Sequence, residues 1–444
     1  MYNLGHKGST NIPFQDTLLL VTGTASRTIE TSTTNGRRWY FVTLVAAAIA
    51  ISYFDRQTIS VAISTIQRTI PISQQQFAYL STAFLLAYAA MYAGGGRLLD
   101  RIGTRAGFLV IMLWWSAACA LHGLASGFGW LLVMRFLLGM GEGGAFPAAT
   151  RVVSEWVPAR ERSTAMGFIN AGTAIGSLLA PPLIGLVLLY SGWRAVFFLA
   201  GAIGFLWTVW WAISYRRSNA SPATNLFDEG PTLSFGEIIS LRNVQTLVLA
   251  KFMSDSAWFF LLFWLPKYLY DARGFDVKQV SYFAWIPYAA SGAGSFLGGW
   301  TSSRLLRSGR SLDSSRKLVL GINAVMMTAV MLVTHVPVEF ALALFSIAFF
   351  AQQSWSGIIM TIPADVFPLS AVGTVAGLVG FGGSIGGAIF GLIAGWLLGH
   401  GVPYGTLFLA VGVFHLTGFI VFATAGGKIK PLQPNQLMEM ERRA

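Results

Sequence analysis

Long apolar runs alternate with short polar segments along almost the whole chain. A helix needs about 20 apolar residues to cross a hydrocarbon core of about 30 Å. Runs of that kind begin near Trp39, Phe77, Ala106, Trp130, Thr164, Ala195, Thr246, Val280, Leu318, Phe340, Val372 and Tyr404. The pattern predicts an all-α membrane protein with about twelve transmembrane helices. The runs fall six and six around a polar stretch, 217–244, which holds Pro222 and Pro231 and closes on a short amphipathic run over 235–241. We therefore expect a polar, disordered tail over 1–36, a six-helix half over 37–216, a linker over 217–244, a second six-helix half over 245–426 and a tail over 427–444.

An internal echo relates the halves. Between the second and third runs stands Gly96-Arg-Leu-Leu-Asp100-Arg101-Ile-Gly103-Thr-Arg105; between the eighth and ninth stands Gly299-Trp-Thr-Ser-Ser-Arg304, followed by Gly309-Arg310. Each places a glycine at a helix end and then a basic turn. Two six-helix repeats around a site at the bilayer midplane form one of the transporter architectures. The second copy lacks the acid and has Ser302 and Ser303 instead, which predicts a weaker latch there.

Composition sharpens this picture. The chain is 54% hydrophobic and 11% charged, against roughly a quarter charged in soluble domains. Its net charge of +12 reflects basic residues crowded into alternate loops, at 97–105, 151–162, 216–217 and 304–317, and into both tails. The other loops hold Arg68, Arg194, Lys267, Arg273 and Lys278. By the positive-inside rule both termini are cytoplasmic. The charge forms no contiguous basic face for nucleic acid. The single Cys119 excludes an internal disulfide and a cysteine metal site, and reads as small-residue packing. The five histidines lack metal-ligand spacing, and no phosphate-cradling loop supports ATP-driven pumping. Neither an enzyme nor a cofactor is expected, and a monomer in lipid is. A non-transporting sensor would ordinarily add a soluble signalling domain, for which no stretch is long enough.

Charges inside the spans carry the chemistry. A charge at bilayer depth costs about 2.5–3.5 kcal/mol even on insertion scales, so such residues line polar pathways and find partners there. Asp55 and Arg56 sit in the first run, Arg135 and Glu142 in the fourth. Arg135 and Glu142 are two helical turns apart, on nearly one face and about 10 Å apart along the axis. Asp55 and Arg56 point about 100° apart and must look to other helices. One arrangement sets Asp55 against Arg135 and leaves Arg56 for a ligand. Two carboxyls that take protons and two guanidiniums that hold an anion suit proton-coupled transport of an organic acid. In the second half, Lys251 and Asp255 stand four apart and read as an internal ion pair. Gln352 and Gln353, beside Ser354 and Trp355, offer hydrogen bonds to sugar hydroxyls, and Asp365 reads as structural.

The segment 96–105 matches the loop signature of the major facilitator superfamily at every defined position. That resemblance implies a conformational latch at Gly96, Asp100, Arg101 and Arg105. Further motifs narrow it: Tyr53-Phe-Asp55-Arg56, Arg135 with Glu142, Gly141-Glu142-Gly-Gly-Ala-Phe146-Pro147, and Ser154-Glu155-Trp156-Val-Pro158 with Glu161-Arg162. They resemble the anion:cation symporter family, and within it the hexuronate transporters, over nearly the whole chain. The resemblance implies proton carriers at Asp55 and Glu142, a carboxylate anchor at Arg56 and a ligand tyrosine at Tyr88. Asn170 and Thr173 take places where the galactonate carriers have threonine and glutamine, while Gly380 and Met360 depart from that pattern. The expected function is proton:sugar-acid symport, with a hexuronate as cargo and Arg135, Gln352 and Gln353 completing the site. The alternative is another organic anion: an aldonate, an aldarate or an aromatic carboxylate.

Overall fold

The structure, a computed structural model, describes residues 14–157, 162–215, 235–367 and 369–431. Among these the chain is helical and without strands: α1 (Phe14–Ile66), α2 (Gln74–Ile102), α3 (Thr104–His122), α4 (Phe128–Glu142), α5 (Ala145–Trp156), α6 (Arg162–Ser214), α7 (Phe235–Ser240), α8 (Arg242–Arg273), α9 (Val277–Phe283), α10 (Trp285–Arg307), α11 (Leu312–Met327), α12 (Val338–Val366), α13 (Leu369–Gly399) and α14 (Tyr404–Ala425). Local chemistry sets several boundaries. Ser73 with Gln76, and Asp276 with Gln279, form capping boxes that start α2 and α9. Gly274 ends α8 in the left-handed conformation. Within α6, Gly192 takes φ 76°, so the run turns back there and makes two crossings.

Seven of these helices are long and apolar enough to span a membrane by length and composition. With α6 counted as two, α4–α5 and α9–α10 each as one broken crossing, and α1 and α2 added, they make the twelve expected crossings. Outward faces carry Leu206, Phe296 and Ile213, each at least 70% exposed, as suits contact with lipid. The chain is a multi-pass membrane protein.

One boundary departs from expectation. The stretch 14–36, expected to be disordered, continues α1 as helix. Polarity alone does not break a helix, and between Pro13 and Pro71 no proline interrupts the run. The expected linker contains α7, and residues 216–234 and 432–444 lie outside the described residues.

Within each half, backbones approach closely at small residues, as lipid-embedded helices require. A Cβ on Gly176 would come within 2.1 Å of the Ala50 carbonyl, and one on Gly294 within 2.1 Å of the Phe350 carbonyl. The halves meet through α2 with α13, α6 with α9 and α10, and α1 with α8.

Those seams are graded along the membrane normal. At the end opposite the termini, Gly395 abuts Ala78, Gly185 abuts Ser281, and Gln74 donates to Asp271 at 2.9 Å. The Tyr270 hydroxyl also donates to the Val61 carbonyl, at 2.8 Å. Nearer mid-depth, Thr82 donates to the Ala388 carbonyl and Gly380 touches the Tyr92 ring. One turn further toward the termini, a Cβ on Gly377 would meet nothing within 4 Å, and the same holds at Gly167 and Gly299. Glycines of three different helices thus face open space at that end. The bundle is closed on one side and parts on the side of the termini.

Candidate functional site

The break between α4 and α5 positions the first acid. Gly143 and Gly144 end α4 just after Glu142, and a Cβ on Gly143 would run into the Tyr88 carbonyl at 2.5 Å. α4 therefore lies close against α2, which leaves the Glu142 carboxylate facing α1. There Arg56 donates from Nε to Glu142 Oε2 at 2.7 Å, with both side chains buried. Ser52, one turn before Arg56 on the same face, donates to the same oxygen at 2.7 Å, and Arg56 Nη2 reaches Ser52 at 3.4 Å. The Arg56 guanidinium lies over Tyr53 at 4.3 Å and Tyr88 at 4.5 Å from the ring centroids. Such cation–π contacts strengthen when desolvated.

In this conformation Arg56 is held by Glu142, the Nε edge and the Ser52 hydroxyl together satisfying one carboxylate oxygen. Among the described residues Glu142 Oε1 has no hydrogen-bond partner. Nor, among them, does any of the three nitrogens of Arg135 have an acceptor; its guanidinium rests on the faces of Phe84 at 4.6 Å and Phe263 at 5.8 Å. Asp55 is likewise buried with neither oxygen hydrogen-bonded in ordinary geometry. The Cys119 thiol approaches it, and Arg135 lies within electrostatic reach. Asp55 and Arg135 are thus buried charges whose side-chain oxygens and nitrogens all lack an ordinary hydrogen bond among the described residues.

Tyr88 presents its ring rather than its hydroxyl to this cluster, stacked on Phe84 at 5.9 Å. Thr173 is buried and turned back onto the Asn170 carbonyl at 2.8 Å. Ala174 meets Gly292 across the α6–α10 seam; Asn170, one turn toward the termini on that face, is exposed where the halves part. Gln353 is half-buried one turn before Gly357, whose added Cβ would meet open space.

In the second half a polar group packs against α8. Lys251 Nζ lies 2.9 Å from Asp255 Oδ1 and donates to Ser356 at 2.7 Å. Gln352 donates to Asp255 Oδ1 at 3.4 Å and accepts from His415. Gln352 therefore does not stand free for a ligand as expected; the carboxylate and the imidazole occupy both ends of its amide. Gly383 of α13 abuts Asp255, and Gly380, one turn earlier on that helix, lies against the Tyr92 ring of the first half, so the two groups approach the same stretch of α13.

At the terminal end, Gly96, Asp100 and Arg101 fall on the last turns of α2, and their side chains lie outside the described residues. Arg105 donates to the Ala212 carbonyl at 2.7 Å, within its own half. Glu155 accepts from the Tyr215 hydroxyl at 2.6 Å and from Thr104. In the second half Arg316 bridges Asp365 at 2.9 Å and Ser302 at 2.8 Å. The acid missing from the second loop copy is thus supplied from the end of α12.

Sequence reasoning missed Ser52, Cys119 and His415 as parts of the polar clusters. For Ser52 the four-residue spacing to Arg56 was a usable signal. Cys119 and His415 come from distant helices, and nothing local marks them.

The sequence profile of the Major Facilitator Superfamily matches residues 45–390. The chain is 32% identical over 408 residues to the hexuronate transporter of Escherichia coli (strain K12), covering 88% of this chain and 94% of that one. It is 31% identical over 308 residues to the galacturonate transporter of Dickeya chrysanthemi, covering 66% and 89%. Among solved structures, a bacterial homologue of the human lysosomal transporter Spinster, inward-facing and unoccupied, superposes with a TM-score of 0.71 at 19% identity, over 91% of this chain and 98% of that one. That last likeness is one of fold.

Proposed function

The chain belongs to the Major Facilitator Superfamily, and we propose that it imports a sugar-acid anion of the hexuronate class in symport with protons. The reading places both termini on the cytoplasmic side of a bacterial inner membrane. The observation that carries it is the buried pair of Arg56 and Glu142 across α1 and α4. Arg56 is one anion site with two claimants, the internal carboxylate and the carboxylate of the cargo. When a proton neutralises Glu142, its hold on Arg56 weakens and the substrate carboxylate takes the guanidinium as a charge-assisted pair. Proton and anion then travel together. Once the bundle opens to the cytoplasm, Glu142 loses its proton and reclaims Arg56, which expels the cargo. The structure, parted on the side of the termini with the pair closed, fits the step after release.

Asp55 and Arg135 give a second proton site and a second cation in the same core. One proton per monoanion is electroneutral; a second adds about 2.3 kcal/mol of drive per 100 mV of membrane potential. The names of the hexuronate and galacturonate transporters support the cargo class.

The test is uptake of D-galacturonate into proteoliposomes. Glu142→Gln is expected to abolish accumulation driven by a pH gradient while exchange of labelled for unlabelled substrate continues. Undiminished accumulation would overturn the coupling role.

A further inference from the structure

The polar group on α8 is too complete to be helix glue alone, and its remaining valences have a definite pattern. Asp255 Oδ1 takes both Lys251 and Gln352. A carboxylate can only accept, so Gln352 must present its NH2 to Asp255 and its carbonyl to His415, and His415 must carry its proton on Nε2. This fixes three side chains from α8, α12 and α14 in one orientation. Asp255 Oδ2 is left with no donor among the described residues. It points toward Gly383 of α13, where a Cβ would come within 2.2 Å. Lys251 has two of its three N–H groups in use, on Asp255 and Ser356, and one remaining. A free acceptor and a free donor thus stand side by side on a rigid base. Gly380, one turn from Gly383 on α13, lies against the ring of Tyr92, whose centroid is 5.8 Å from that of Tyr88, the ring beneath Arg56.

We infer that the Lys251–Asp255 pair is the polyol-reading arm of the transport site and selects monoanionic sugar acids against dianionic ones. This rests on the sugar-acid reading above. Of two neighbouring hydroxyls on the cargo, one donates to Asp255 Oδ2 and the other accepts from Lys251. A second carboxylate arriving at the same place finds the ammonium already compensated at 2.9 Å and a fixed negative charge beside it. Like charge placed against the wrong ligand is an established way to build specificity. Arg56 then reads the acid end of the cargo and α8 its hydroxyl end. Asp255 is the residue that keeps the hydroxyl end from accepting a second acid.

The experiment measures binding of D-galacturonate and of galactarate, its dicarboxylate counterpart, to the purified full chain by titration calorimetry. Wild type is expected to prefer galacturonate. Asp255→Asn, which frees the Lys251 charge, is expected to move the affinity ratio toward galactarate by about tenfold, the worth of one good charge contact. Lys251→Met with Asp255→Leu removes both charges together, a change buried pairs often tolerate. That variant is expected to lose about tenfold in galacturonate affinity with no gain for galactarate. A pair that only holds helices together would lower both affinities equally. An unchanged ratio in Asp255→Asn overturns the inference, as does wild-type galacturonate affinity in the double variant, which stays informative where the single one does not fold. Wild type that binds neither compound defeats the sugar-acid reading itself, a result distinct from an unmoved ratio.

Discussion

The two halves hold their buried charges in opposite ways. In the first, the ion pair bridges helices distant in sequence, α1 and α4, and leaves Asp55 and Arg135 unsatisfied beside it. In the second, Lys251 and Asp255 stand one turn apart on α8, tied further to Ser356 and Gln352. An i,i+4 pair moves with its helix and keeps its geometry through any rigid-body rocking. A pair between helices responds to small shifts of one helix against the other, and to protonation. The first arrangement suits coupling and the second suits recognition. Neither follows from counting charges, since each half contributes acids and bases alike.

The largest effect that would break the comparison is expected at Arg56. Arg56→Ala leaves buried Glu142 without its cation, a change worth about 3–5 kcal/mol, and removes the proposed anion site as well. Purified protein should unfold at markedly lower temperature and show no saturable uptake. Wild-type stability in that variant would mean that the pair is incidental.

Next comes the local pair. Asp255→Leu alone strands Lys251 and is expected to cost about 3–5 kcal/mol, whereas Lys251→Met with Asp255→Leu should restore most of it. Thermal unfolding of the single and double variants in the same detergent checks this. Equal losses in both would place the pair's worth in its hydrogen bonds to Ser356 and Gln352 rather than in charge balance.

A smaller effect is expected at Ser52. Its hydroxyl gives Glu142 Oε2 a charge-assisted bond of 2.7 Å, so Ser52→Ala should cost about 1.5–3 kcal/mol. The same variant removes a donor that holds Glu142 in its ionised form, so uptake at a fixed inward proton gradient should persist while its pH dependence shifts. A pH profile identical to wild type would show that Arg56 alone sets the carboxylate.

These contrasts also mark what the chain discloses before it folds. The twelve crossings, the six–six division and the burial of Asp55, Arg56, Arg135 and Glu142 inside the bundle are legible because a charge among twenty apolar residues has few bland explanations. The Lys251–Asp255 pair was legible because helical periodicity alone brings its members together. Partner choice was not. That Glu142 meets Arg56 rather than Arg135 depends on how closely α4 packs on α2 at Gly139 and Gly143, where added Cβ atoms would strike the Phe84 and Tyr88 carbonyls. Backbone proximity of that kind has no signature in residue type beyond the glycines themselves. The same holds for His415, whose role depends on α14 lying against α12.

The smallest expected effect separates the closed seam from the open one. In the structure, Gly377 on α13 faces free space, while Gly395, five turns along the same helix, already abuts Ala78 of α2. Gly377→Ala should therefore be neutral or stabilising by about 0.5–1 kcal/mol, through helix propensity alone. Gly395→Ala should cost about 1–3 kcal/mol by overpacking. The functional consequence runs the other way. If the halves rock about the central charges, α13 must close on α2 at Gly377 when the bundle opens outward, and a bulky Gly377→Leu should leave stability and cytoplasmic-side binding intact while slowing uptake. Uptake at the wild-type rate in that variant would mean that the α2–α13 seam does not close there. The graded contact between the halves would then be a fixed shape rather than one position of a moving pair.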